Sequence, residues 1–389
     1  MITMEEAEKI LHEWPLQTKE EEIELSDCSG RVLSRDVLSS VDMPPFDRSA
    51  MDGYALLSSD KSERFKILET LAAGDIPEMP IHPGECSRIM TGAMLPPGAD
   101  RVVKREVTAE EDGFMRLTGE DPNDNIRRLG EDLCKGSVMI RKGNRIRPQE
   151  AALLASAGLK RIYVCKKPVV GILTTGSELV EPGESLRSGQ IYNSNATSIA
   201  AQIQGMGAES RPLGTVPDKE EAIRSAIESL LPACDLLILS GGVSAGDYDF
   251  VPGVLRSLGV ALHFEKVAVQ PGMPTVFGTR GKKCFFGLPG NPVSTFVIFE
   301  IFIKPFLFRM MGHEWPPLLI RATLGETCRR KNAERAAFIP VIYREGKASL
   351  LPYHGAAHLL ALSRANALMQ VPRGVLEISA GSAVDVRPI

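Results

Sequence analysis

The amino-acid sequence predicts a multidomain protein of α/β and β parts. A central α/β domain with a mostly parallel sheet follows a β-rich module and precedes a small C-terminal β domain. Three observations predict this. The 389 residues exceed what one hydrophobic core usually serves. Between residues 167 and 312, strand-like apolar runs, glycine-rich loops and helical stretches alternate, the pattern of parallel strands joined by helices. Between 43 and 139, short β-type runs are broken by turns such as Gly74-Asp75 and Pro96-Pro97-Gly98.

Taken in order, the chain opens with a helix. Thr3 and Glu6 have capping-box spacing, and Pro15 ends the run. Residues 25–42 have a β-like pattern, and 42–53 (DMPPFDRSAMDG) form a loop. A helix at 148–157 starts on Pro148 and stops at Gly158. In the α/β part, strands are expected at 169–173, 236–239 and 284–286. Helices are expected at 194–206, 220–230, 249–257 and 292–306. The last residues, VLEISAGSAVDVRPI, have a hairpin-like pattern. The expected domains are 1–42 with 140–166 (N-terminal, linking), 43–139 (β-rich), 167–312 (α/β) and 313–389 (C-terminal β).

Composition removes several function classes. A net charge of −4 provides no broad positive field for nucleic acid, so an anionic ligand must be held locally. The start is acidic and amphipathic, unlike a signal peptide, and no run of about 18 apolar residues spans a membrane. Seven scattered cysteines without a CxxC pair argue for a reducing, cytoplasmic setting and against a disulfide framework or zinc knuckle.

Three expected strands end in unusual loops: Thr174-Thr175-Gly176-Ser177-Glu178, then Ser240-Gly241-Gly242-Val243-Ser244 running on to Asp249, then Gly287-Leu288-Pro289-Gly290-Asn291-Pro292. Ligands of open α/β sheets collect at the carboxyl ends of strands. Glycines admit backbone amides close to a ligand, hydroxyls add donors, and helix N-termini favour negative charge. One such loop is as well read as a tight βα turn; three on one sheet point to a phosphate or other oxyanion. Glu178, Asp247 and Asp249 lie in the same loops. Beside phosphate they would need a cation such as Mg²⁺, while Asp249 is equally well placed as a helix cap. P-loop, GxGxxG, HExxH and GxSxG motifs are absent. His354 and His358, spaced i and i+4, are read as an incidental pair.

PPFDRSAMDGYA (44–55), RIMTGAMLPPGAD (88–100), RRLGEDL (127–133), TTGSEL (174–179), GQIYNSN, SGGVSAGDYD and GLPGNPVS occur together and in order. This series resembles the MoeA-type molybdenum insertases, the molybdopterin molybdenumtransferases, over almost the whole chain. The resemblance implies a cytoplasmic homodimer of four-domain subunits. Its α/β domain would be akin to the molybdopterin adenylyltransferases, and the cleft would lie between that domain and the β-rich lid of the other subunit. It implies insertion of molybdate, with tungstate as an alternative, into adenylylated molybdopterin, with AMP release assisted by Mg²⁺. Matched position by position, it implies Asp52, Glu178 and Asp249 as catalytic acids, the latter two holding metal. Thr91, Arg127, Asp132, Asp218, Lys266, Pro289 and Pro292 match further functional positions, and Thr175, Gly176, Ser177, Gly241, Gly242, Ser244, Gly290 and Asn291 complete the substrate loops. The chain departs from the pattern where KPGKP is common and Gln270-Pro271-Gly272-Met273-Pro274 stands, and at Pro340 and Ala357. Competing expectations are a molybdopterin adenylyltransferase or CinA-like enzyme, which share the α/β domain, and a scaffold protein.

Overall fold

The computed structural model describes residues 1–244 and 249–389; Asp247, expected near the site, lies outside them. The central sheet has six strands in the order Glu209–Val216, Val169–Thr175, Leu236–Ser240, Lys283–Leu288, Val276–Arg280, Ala261–Phe264. The first four run parallel; Val276–Arg280 runs against them and Ala261–Phe264 with them. Alternate strand residues supply two cores, as a sheet covered on both faces requires. Val170, Ile172, Leu236, Ile238 and Phe286 pack against helix Ser194–Met206 and the helical run from Pro292. Leu173, Leu237, Leu239 and Phe285 pack under helices Glu220–Leu230 and Val251–Ser257. The run from Pro292 contains a π-turn at Phe299–Ile303. Pro305 has no N–H and would crowd the carbonyl four residues back, so the widened turn relieves what a regular helix could not accommodate.

The first helix, Met4–Glu13, has the expected capping box on Thr3 and packs Ala7 and Leu11 into the first of these cores. Strand Glu20–Glu24 pairs with Arg161–Cys165. The 25–42 stretch is less β-like than its pattern suggests. Leu25–Asp27 is a 3₁₀ turn and only Val37–Leu38 forms a strand, because loop residues around Val32 and Leu33 are buried without ladder partners beyond single bridges. The β-rich module is a six-stranded sheet, ordered 101–104, 53–56, 85–89, 65–71, 114–117, 108–111.

In the C-terminal domain, strand Ala336–Arg344 pairs with both Lys347–Leu350 and Ala367–Val371, which closes the sheet into a small barrel. The expected terminal hairpin does not form. Glu377–Ile378 pairs with Cys328–Arg329, while Ala383–Pro388 pairs with Ile320–Leu324 and Ala367–Val371. Alternation marks strands but not their partners, and barrel closure supplies longer ladders than a local hairpin would. Among the described residues no helix is long and apolar enough to cross a membrane.

Candidate active site at the sheet switch point

Strand Val169–Thr175 is followed in the chain by a strand on one side and then by Leu236–Ser240 on the other. The switch point of the winding therefore lies between the ends at Thr175 and Ser240. Register keeps the three loop-bearing strands level: Thr174 is opposite Ser240, and Ser240 opposite Leu288. The loops leave side by side and touch. A Cβ on Gly241 (φ +98°) would lie 2.3 Å from the Thr175 carbonyl oxygen, and one on Gly290 would lie 3.8 Å from the Gly241 Cα. Only glycine fits position 241, both for its φ and for this approach.

Thr175 is buried, and among the described residues its hydroxyl has no hydrogen-bond partner. It lies where Cβ atoms on Gly241 and Gly242 would each come within 2.9 Å. Buried hydroxyls are normally satisfied. An unpaired donor beside two bare glycines is suited to an oxyanion. Gly176 brings the Glu178 carboxylate close, since a Cβ there would lie 2.9 Å from its Oε2. Ser177 and Asp218 clamp the first loop to the neighbouring one: the Ser177 N–H donates to Asp218 Oδ2 at 3.1 Å, and the Asp218 N–H to Ser177 Oγ at 3.4 Å. Ser244 is exposed and Asp249 half-buried, just ahead of helix Val251–Ser257.

The third loop is held by residues that sequence reasoning did not single out. The Asn195 amide donates to Ser240 Oγ at 2.9 Å and to the Gly290 carbonyl at 2.8 Å. Thr295 Oγ1 donates to the Pro289 carbonyl at 2.6 Å. Pro292 occupies the first turn of its helix behind Asn291, where its missing N–H costs nothing. The signal for Asn195 was the second asparagine of GQIYNSN. The first, Asn193, caps helix Ser194–Met206 and ties Thr174, Thr215 and Glu181 together. The C-terminal barrel also reaches this end. The Val293 N–H donates to the Ala356 carbonyl at 3.0 Å, beside exposed Ala357 and the stacked rings of His354 and His358.

The other expected positions lie elsewhere in this chain. Asp52 accepts from the Thr91 N–H (2.8 Å) and hydroxyl (2.7 Å), which hold its carboxyl below the usual aspartate range. Arg127 pairs with Glu131 at 3.2 Å, and Asp132 is exposed, its N–H donating to the Met43 carbonyl. Among the described residues no hydrogen bond or ion pair joins residues 43–139 to the first and third loops. Lys266 and Gln270 are exposed on the segment that follows the edge strand Ala261–Phe264, and Gln270 pairs opposite Ala337 of the barrel. Pro340 is buried in the barrel wall opposite Leu368, so a charged side chain there would not face the loops without repacking.

Glycine-rich loops converge on a switch point of an α/β domain set between a β-rich module and a barrel, an arrangement suited to phosphate-bearing or oxyanionic ligands. Family models give the class: residues 171–309 match the probable molybdopterin binding domain, 2–158 the MoeA N-terminal region (domain I and II), and 323–389 the MoeA C-terminal region (domain IV). The chain is 36% identical to the molybdopterin molybdenumtransferase of Bacillus subtilis (strain 168), covering 99% of this chain and 93% of that one. It is 35% identical to the protein of the same name from Haemophilus influenzae, covering 100% and 98%. The crystal structure of the molybdopterin biosynthesis moeA protein from Pyrococcus horikoshii OT3 superposes over 100% of both chains, with a TM-score of 0.88 at 30% identity. The chain belongs to the MoeA family.

Proposed function

We propose that this chain is a molybdopterin molybdenumtransferase of molybdenum-cofactor biosynthesis, inserting molybdate into adenylylated molybdopterin with release of AMP. The carrying observation is the cradle at the switch point, where the unpaired Thr175 hydroxyl meets Gly241 and Gly242. In this reading, amides and hydroxyls of the three loops bind the phosphate groups of the substrate, and Asn195 and the Ser177–Asp218 clamp orient them. Pre-set donors of this kind favour charge that develops as the anhydride opens.

Mg²⁺ would be held by Glu178 and Asp249. Among the described residues no group of three or more His, Cys, Asp or Glu could hold a metal alone. That suits Mg²⁺, which is commonly bound through one or two carboxylates together with substrate phosphates and water. When bound, it would neutralise charge between those carboxylates and the phosphates. Asp52, held ionised by Thr91, would come from a second copy of the chain. This is supported by the fact that, among the described residues, no side-chain hydrogen bond or ion pair joins its module to the first and third loops, and it makes a cytoplasmic homodimer the working unit.

The deciding experiment mixes purified protein, adenylylated molybdopterin, Mg²⁺ and molybdate, and follows AMP release, with tungstate as a parallel arm. Asp52→Ala and Glu178→Ala should each lower turnover strongly with little loss of stability. No AMP release by the unaltered protein would refute the reading, and a fully active monomer in sedimentation would refute the shared cleft.

A further inference from the structure

A well-formed cavity lies away from the loops at the switch point. It is a recess of about 690 Å³ at the opposite, amino end of the parallel strands, between the 14–19 segment, the 166–169 linker and the turns at 232–235 and 281–283. The strands between it and the loops are five to seven residues long. At about 3.3 Å per residue, that places it roughly 20 Å from the site already described.

Its rim is strongly basic. Lys19, Lys166, Lys167, Lys282 and Lys283 line it, against a single carboxylate, Asp235. That carboxylate is already engaged by the Val169 N–H at 2.9 Å. Lys283 donates to the Cys234 carbonyl, while the other four ammonium groups are exposed and pair with no carboxylate among the described residues. This happens on a chain whose net charge is −4. Two helices, Glu220–Leu230 and Lys304–Met310, end near this recess, and their C-terminal partial charges attract cations. About half a charge per helix end offsets roughly one lysine, not five. Among the described residues the cavity lining supplies no second carboxylate to balance the rest; Glu209 and Glu20 lie nearby but pair with Arg211 and Arg35. The walls between the lysines are apolar: Trp14, Leu16, Pro168, Pro232 and Met310.

We infer that this recess binds a small organic polyanion of nucleotide size, its phosphates among the lysines and its apolar body against the Trp14–Met310 wall. Volume, charge and mixed lining match the usual features of a ligand pocket. The inference does not depend on the function proposed above. A ligand here would bridge the N-terminal segment, the linker and the α/β domain, and so would stiffen the joint between domains.

The test is isothermal titration of the full chain with ATP, without Mg²⁺, at about 0.05 M salt, where screening is weak. Lys167→Glu/Lys282→Glu should weaken saturable binding about 30-fold or more while leaving thermal unfolding and the catalytic loops unaltered. The control double variant Lys61→Glu/Lys331→Glu should bind as the parent does. Inorganic tripolyphosphate should bind more weakly than ATP because it lacks an apolar body. Three results would overturn the inference: no saturable binding up to the order of 1 mM, equal losses in the two double variants, or ATP binding that survives the cavity variant and so belongs to the catalytic loops. Tripolyphosphate binding as tightly as ATP would overturn the organic part.

Discussion

Asn195 gives the sharpest test of how the candidate site is built. Its amide bridges the second and third loops, at 2.9 Å to Ser240 Oγ and 2.8 Å to the Gly290 carbonyl, beside the longer direct bond from the Ser240 hydroxyl to the Pro289 carbonyl at 3.4 Å. Asn195→Ala removes both bonds without changing the helix start, which Asn193 caps. A net hydrogen bond is worth about 0.5–1.5 kcal/mol, so losing both costs roughly 1–3 kcal/mol, mostly from the buried Ser240 end because Gly290 is exposed to water. Urea unfolding reads that loss directly. AMP release should fall further than stability implies, because Gly290 would be fixed beside Gly241 only through the Gly241–Leu288 and Ser240–Pro289 bonds. Asn195→Asp should be at least as harmful, since a carboxylate cannot donate to either acceptor. A variant with full turnover and a stability change below about 0.3 kcal/mol would refute the positioning role.

Four further outcomes are expected. Gly241→Ala should cost well over 2 kcal/mol, whereas Gly189→Ala, with a similar positive φ but nothing within 4 Å, should cost only the strain of about 1–2 kcal/mol; equal midpoints in urea would remove the close-approach argument. Thr91→Ala should raise the Asp52 pKa toward the ordinary aspartate value by carboxyl NMR titration, and Thr91→Ser should not. Because the folded pKa is depressed, the stabilising contribution of Asp52 is present above the unfolded value and is lost as pH falls through the folded one; an Asp52 titration identical in both variants would contradict this. Glu178→Gln should raise the Mg²⁺ concentration at half-maximal AMP release by roughly tenfold or more, as removal of a charged ligand commonly does; an unchanged value would take Glu178 out of the metal site. Gln270→Lys should lower the half-saturating molybdate concentration, since a charge-assisted bond is worth about 1.5–3 kcal/mol, or roughly 10- to 150-fold; an equal or higher value would mean that position 270 does not limit oxyanion capture.

Much of the α/β domain was legible because its signals are local. Val169–Thr175 and Leu236–Ser240 are short continuous apolar runs closed by glycine-rich turns, and Ser194–Met206 ends on Gly207 in the left-handed region. Those runs specify strand, turn and helix from neighbouring residues alone. The C-terminal barrel was less legible because its ladders join residues far apart in sequence. The 383–388 strand finds partners at 320–324 and 367–371, and no nearby residue announces that choice. The collapse of the 25–42 pattern has the same cause, packing that overrides a local preference, whereas the π-turn before Pro305 follows from the proline itself.

The site divides along the same line. Gly241, Gly242, Gly290 and the hydroxyl-bearing loops could be read from composition, and at Gly241 the reason is backbone approaching backbone, which excludes every other residue. Asn195 could not, because its role depends on the level register of three strands that bring Ser240 and Gly290 within reach of one amide. The position of Gln270 follows from tertiary structure too. It sits on a short strand paired with Ala336–Ala337, so the residue that replaces a lysine of the KPGKP pattern belongs to the joint between sheet and barrel. The barrel meets the α/β domain a second time where the Val293 N–H bonds the Ala356 carbonyl just past the third loop. These two attachments fix the barrel against the α/β domain. Substitutions at 270 and 357 therefore act on how the barrel is held as well as on the charge they present.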